Sequence, residues 1–144
     1  MGTEPLIRSS TPADLDAVVD VFRRASLTNE SDREWILANP DRFAVDEGAV
    51  LEGKTRVAAV DGRIVGFATL VGAELEDLFV DPDWMRRGIA TALVRDAVEN
   101  GGVERIDVTA NGHAIAFYES VGFVHDGPAE TPGGPAFRMH LDCA

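Results

Sequence analysis

Apolar and polar positions follow two rhythms along the chain, and each change of rhythm marks an element. Residues 5–9 read as a short strand. Thr11-Pro12-Ala13-Asp14 then has the marks of a helix start: a hydroxyl cap, proline at the first helical position and an acid in the first turn. Leu15, Val18, Val19 and Phe22 recur at helical spacing and give this helix its apolar face. Ser31-Asp32-Arg33-Glu34 is a capping box opening a shorter helix with Trp35, Ile36 and Leu37 inward, stopped at Asn39-Pro40. After a loop, residues 55–60 and 63–71 read as strands joined by Asp61-Gly62, a dipeptide suited to a tight hairpin.

Residues 74–80 form the next strand, and its phase breaks. Strict alternation from Leu75 buries Asp77 and exposes Leu78, yet Leu78 and Val80 have the character of the buried pair. Either the register slips at Asp77 or Leu78 through a β-bulge, or the strand is covered on both faces. Asp81-Pro82 ends it. A helix starts near Gly88, runs through Ile89, Leu93, Val94, Ala97 and Val98, and stops at Asn100-Gly101-Gly102. Ile106, Val108 and Ala110 alternate as a further strand, Asn111-Gly112 turns the chain, and residues 114–120 form a short helix ended by Gly122. Strand, helix, strand in this order implies a right-handed crossover and a parallel pair. The chain finishes with residues 123–125, a loop over 127–135 in which six of nine residues are Gly or Pro, and a strand carrying Phe137, Met139 and Leu141.

At 144 residues with no internal repeat, the chain is expected to be one domain spanning 1–144. Its 13 basic and 25 acidic residues give a net charge of −12, and both halves share the deficit. That balance argues against a polybasic nucleic-acid face and favours cationic small molecules or peptides over anionic ones. The single cysteine, Cys143, excludes a disulfide framework within the chain, which suits a reducing cytoplasm. No window approaches the ~20 apolar residues of a membrane span. His113, His125 and His140 lack ligand-like spacing, so no metal is expected, and Lys54, the sole lysine, offers little for Schiff-base chemistry.

The chemistry concentrates in two stretches. Leu78-Phe79-Val80-Asp81-Pro82-Asp83-Trp84-Met85-Arg86-Arg87-Gly88-Ile89-Ala90-Thr91 is a strand, a loop and a helix whose first turn is small and flanked by arginines. Free amides and the dipole at a helix N-terminus favour an anion, and small residues let a phosphate reach the backbone. The stretch is neither a Walker A loop nor a three-glycine dinucleotide fingerprint. The second stretch, Asn111-Gly112-His113-Ala114-Ile115-Ala116-Phe117-Tyr118-Glu119-Ser120-Val121-Gly122-Phe123, follows the parallel strand, at the end where α/β sheets bind ligands.

Together the two stretches resemble the GNAT superfamily of acyl-CoA-dependent N-acetyltransferases, closely over residues 74–123. The resemblance implies an α/β (α+β) fold with a mixed sheet of six to seven strands flanked by about four helices, in which a bulged strand and a splayed parallel pair bind acyl-CoA. It implies that backbone groups of Leu78, Phe79 and Val80 meet the pantetheine arm and thioester, and that amides from Arg86, Arg87, Gly88, Ile89, Ala90 and Thr91 hold the pyrophosphate. Asn111 matches a residue that contacts the cofactor chain, and Tyr118 matches a tyrosine beside the CoA sulfur. One departure is Met85, where the family usually has Gln or Arg.

The implied reaction is attack of a primary amine, of a small molecule or a peptide, on acetyl-CoA in a ternary complex. An ammonium must first lose a proton, and Glu74 and Glu76, two apart on one strand face, are the candidate bases beside a water route. Phe79 or Val80 offers an amide to the oxyanion, and Tyr118 a proton to the departing thiolate. The alternative reading is a catalytically silent acyl-CoA-binding regulatory module. A homodimer is compatible with the sequence although no sequence feature shows one, and residues 25–53 and 127–135, which would shape the acceptor pocket, carry no signature.

Overall fold

The computed structural model describes residues 4–26, 38, 45–112, 114–131 and 134–143. The capping box at Ser31 and the helix carrying Trp35, Ile36 and Leu37 lie outside them. Among the described residues the strands are β1 (Leu6–Ser9), β2 (Thr55–Val60), β3 (Arg63–Val71), β4 (Glu74–Val80), β5 (Arg105–Asn111), β6 (Val124–Thr131) and β7 (Gly134–Asp142). The helices are α1 (Leu15–Ser26), α2 (Glu47–Leu51), α3 (Ile89–Asn100) and α4 (Ile115–Ser120). The strands form one mixed sheet of seven in the order β1-β2-β3-β4-β5-β7-β6.

Local chemistry sets the joints. Before α1 the Thr11 amide and hydroxyl both donate to the Asp14 carboxylate, at 2.8 and 3.1 Å, and Arg8 of β1 binds the same group at 2.7 Å. Asp61 and Gly62 take φ of 52° and 82°, the left-handed pair of a tight β2–β3 turn. The short α2 was invisible to periodicity; its cap is Asp46, whose carboxylate accepts the Ala49 amide at 3.0 Å. Opposite faces of the sheet bury two clusters. Val57 and Phe67 pack against Val18, Val21 and Phe22 of α1. Ala58, Ala68, Ile106 and Met139 pack with Ile89 and Leu93 of α3 and Tyr118 of α4.

Two expectations need correction. The register does slip in β4, but one residue earlier than expected: Leu70 faces Leu75 while Thr69 faces Asp77, so Glu76 is the unpaired bulge residue. The bulge moves Leu78 to the face of Leu75 and sends Asp77 to the α1 side with Glu74. The Gly- and Pro-rich stretch expected as a loop over 127–135 is instead largely strand, since β6 and β7 pair from Val124↔His140 to Thr131↔Gly134. Proline is barred from a central strand because it lacks a donor, whereas β6 is an edge strand, where Pro128 leaves no inner bond unmade.

Gly66 of β3 lets α3 lie close to the sheet. A Cβ there would come within 2.9 Å of Ile89 Cγ2, 3.1 Å of the Phe79 carbonyl oxygen and 3.3 Å of Leu93 Cδ1. Gly66→Ala is therefore expected to overpack this contact and cost about 1–3 kcal/mol, measured as a lowered urea midpoint at unchanged m.

Candidate functional site

The site begins where two neighbouring strands stop bonding. The Asp81 amide donates to the Val65 carbonyl at 2.8 Å, and Phe67↔Phe79 and Thr69↔Asp77 continue that register. Backbone groups along a strand face its two neighbours alternately, so those of Asp77 and Phe79 face β3 and those of Leu78 and Val80 face β5. On β5, the Asp107 amide donates to the Ala73 carbonyl, while Val108↔Met139 and its neighbours belong to the β7 ladder. Thr109 and Asn111 therefore face β4. The parallel β4–β5 pairing occurs at Glu74↔Asp107 alone, and beyond it the strands part. Backbone edges of Leu78, Val80 and Thr109 and the Asn111 amide are left open on the gap, while the Asn111 carbonyl accepts the Ala114 amide at 3.0 Å.

This geometry sorts the residues expected along an acyl chain. Leu78 and Val80 present their backbone to the gap, whereas the Phe79 N–H faces β3, so of the two expected oxyanion donors only the Val80 amide points into the gap. The Phe79 ring packs against Phe22 and Phe67, with centroids 5.1 and 5.5 Å away. The apex of the gap is tied from behind by Arg138 of β7. Its guanidinium reaches across β5 to donate to the Thr109 hydroxyl at 2.7 Å and to both Glu74 oxygens at 2.9 and 3.0 Å.

At the open end of β4 the chain enters a loop pinned to α1. Buried Asp81 accepts from Arg24 at 2.7 Å and from the Asp83 amide at 2.9 Å, and Arg24 also binds Asp83. The loop then meets α3 through two left-handed residues, Arg86 at φ 63° and Gly88 at φ 80°. The Ala92 amide is bonded to the Gly88 carbonyl at 2.9 Å, so the amides of Ile89, Ala90 and Thr91 lie ahead of any acceptor within the helix. A Cβ on Gly88 would meet nothing within 4 Å, so the approach to these amides is open. Arg86 and Arg87 are exposed, and Arg87 stacks over the Trp84 ring at 4.8 Å. The donor set fits a diphosphate. A shallow groove of about 570 Å³ also touches Gly88 and Thr91, but it runs toward Glu4 and Pro5 and includes none of the gap residues.

Tyr118 stands on α4, its ring buried edge-on against Phe117 and Phe123. Its hydroxyl has no hydrogen-bond partner among the described residues. Burial, and then the charge of Asp77, push its pKa above the usual tyrosine range, so the hydroxyl stays protonated. Among the acids, Glu74 is held by Arg138, Glu76 is exposed on the bulge, and half-buried Asp77 turns inward. Burial first, then the charges of Glu76 and Asp46, raise the Asp77 pKa from 3.8 to about 6, against a lowering by the Thr69 hydroxyl across the ladder. Sequence reading passed over Asp77 because it placed the slip at or after this residue; the one signal was an acid at an apolar phase. His113 lies outside the described residues. His125 pairs with Glu119 and His140 with Asp126.

Comparison with known proteins returns one consistent picture. The family model described as "Acetyltransferase (GNAT) domain" matches residues 52–125. The chain is 31% identical over 123 residues to the ribosomal protein bS18-alanine N-acetyltransferase of Escherichia coli, covering 81% of this chain and 79% of that protein. A GCN5-related N-acetyltransferase structure from Rhodopseudomonas palustris superposes with a TM-score of 0.77 at 26% identity, covering 99% of this chain and 98% of that one. The PaiA N-acetyltransferase of Thermoplasma acidophilum, solved in complex with coenzyme A, shares the fold at a TM-score of 0.71 and 18% identity, over 99% of both chains.

The Asp77 carboxyl has a consequence for stability. Its pKa is raised on folding, so between about pH 4 and 6 the native state binds more protons than the unfolded one, and stability falls as pH rises through that window. Asp77→Asn is expected to stabilise the protein by about 1–3 kcal/mol at pH 7.5 and to lose that advantage below pH 4, read from thermal melts at both pH values.

Proposed function

The chain belongs to the GNAT family of acetyltransferases, and from that membership we propose that it moves an acetyl group from acetyl-CoA to a primary amine of a small molecule or peptide by direct attack in a ternary complex. The observation that carries the reading is the open β4–β5 gap, which at its open end continues in sequence into the helix-start loop after β4 and into the tyrosine-bearing α4 after β5. Acetyl-CoA, when bound, supplies the activated acetyl thioester. The chain's own residues do the rest. Amides of Ile89, Ala90 and Thr91, with Arg86, Arg87 and Gly88, take the diphosphate; the backbone edges of Leu78 and Val80 and the Asn111 amide line the acyl arm; and the Val80 N–H donates to the carbonyl oxygen as it gains charge.

An amine must lose a proton to attack, and Asp77 is the proposed acceptor in preference to Glu74 and Glu76. What supports it is an inward position and a pKa of about 6, close to the pH at which the group must work. Glu74, by contrast, is committed to Arg138. Tyr118 hydrogen-bonds the departing sulfur. Because the Asp77 charge holds the tyrosine pKa up, taking the amine's proton onto Asp77 removes that charge and makes Tyr118 a better acid as the thiolate leaves. The net charge of −12 favours a cationic acceptor approaching in the cytoplasm. The E. coli relative acts on a ribosomal-protein alanine, which makes peptide N-termini the first acceptors to try.

The direct test is amine-dependent CoA release over polyamines, aminoglycosides, amino acids and peptide N-termini. At least one class should support turnover; acetyl-CoA binding with no amine-dependent release from any of them would leave the silent binding module. Gly88→Glu, with a negative side chain at the diphosphate loop, is expected to weaken acetyl-CoA by more than about tenfold, or 1.4 kcal/mol, in calorimetry on folded protein. Tyr118→Phe should keep that affinity and lower kcat, because only the hydroxyl is lost.

A further inference from the structure

One rung of polar side chains crosses the apolar face beneath α1. Thr55 of β2 lies opposite Thr69 of β3, and Thr69 opposite Asp77 of β4, so the three side chains share one face in a row. The next rung along is Val57, Phe67 and Phe79, part of the α1 cluster or packed on it. Thr55 and Thr69 are 0% and 1% exposed, and their hydroxyl oxygens are 2.8 Å apart. A valine pair of the same shape would suit this face and leave nothing to satisfy, since replacing both partners of a buried hydrogen bond by apolar groups is nearly neutral or stabilising.

We propose that Thr69 and Thr55 are positioning residues of the transfer reaction: a two-hydroxyl relay across β2 and β3 that holds and polarises the Asp77 carboxylate. The inference rests on the reading of Asp77 as the proton acceptor. The Thr55–Thr69 bond is formed in the structure, and Thr69 stands across the ladder from Asp77; an ionised carboxylate only accepts, so in the proposed relay Thr69 turns its proton to Asp77 and accepts from Thr55. Once Asp77 has taken the amine's proton, it can donate to Thr69, and Thr69 to Thr55. In both directions the relay uses the Thr69 hydroxyl as donor on one side and acceptor on the other. The relay thus follows the charge on Asp77 by exchanging which group donates. Other groups acting on Asp77 are Glu76 on its own strand and Asp46 before α2, which both oppose its ionisation. Tyr118 of α4 feels its charge. Thr69 is the neighbour that favours the ionised form.

The test titrates the Asp77 carboxyl directly, by carbon-detected NMR of isotope-labelled protein, beside the pH profile of kcat/KM. In Thr69→Val the Asp77 midpoint should rise by about one pH unit and the acid limb of kcat/KM with it. Thr69→Ser should restore both. Thr55→Val should give a smaller shift in the same direction. The double variant Thr55→Val/Thr69→Val, expected to fold with near-native stability, should match Thr69→Val. An Asp77 midpoint unmoved in Thr69→Val and in the double variant would overturn the relay. If the midpoint moves but the acid limb stays and survives in Asp77→Asn, the relay stands as a contact, and Asp77 as the proton acceptor is overturned with its positioning role.

Discussion

The feature on which the site depends is a ladder that stops. A buried strand ordinarily has both backbone edges bonded, because an unpaired amide away from water costs as much as a lost hydrogen bond. Here β4 and β5 pair at Glu74↔Asp107 and then diverge, so donors and acceptors in the middle of a seven-stranded sheet face a gap instead of a neighbour. Those groups call for a partner that is itself extended and amide-bearing, as a pantetheine arm is. The surroundings hold the divergence open. Gly66 lets α3 lie close on β3, Asp81 fastens the loop after β4 to Arg24, and Arg138 bridges Thr109 and Glu74 at the apex.

The Glu76 bulge links this backbone arrangement to the proposed proton chemistry. Without the extra residue, Asp77 would share a face with Leu75, and Leu78 would turn outward. With it, Leu78 and Val80 join the α3 side and Asp77 joins the α1 side, across the ladder from Thr69. A carboxyl pushed to about pH 6 by burial and by two neighbouring acids weakens the fold at neutral pH. Groups kept at such a cost to stability are candidates for function, and this one lies within electrostatic reach of Tyr118.

Strong local chemistry was legible in the sequence. The Asp61-Gly62 hairpin, the alternation of Ile106, Val108 and Ala110, the glycine at the start of α3 and the phase break in β4 each have a one-dimensional signature, and the structure carries all four. What was not legible depends on neighbours. The edge position of β6, which tolerates Pro128, is a property of the sheet order and not of residues 127–135. The five residues of α2 are too few to show a period. Asp77 was passed over because a one-residue error in placing the bulge reverses which acids share a face. Glu74 read as a free carboxylate because its partner, Arg138, is 64 positions away.

The central claim is that the open edges of β4 and β5 are the acyl-donor site, and amide hydrogen exchange reads those edges one residue at a time. In the free protein the amides of Leu78, Val80, Thr109 and Asn111 should exchange much faster than those of Phe79 and Val108, which are bonded into their ladders. Saturating acetyl-CoA should slow the amides of the first group and leave those of the second unchanged. Protection of Leu78 and Val80 already equal to that of Phe79 without ligand, or exchange at these amides unaffected by saturating acetyl-CoA, would contradict the account.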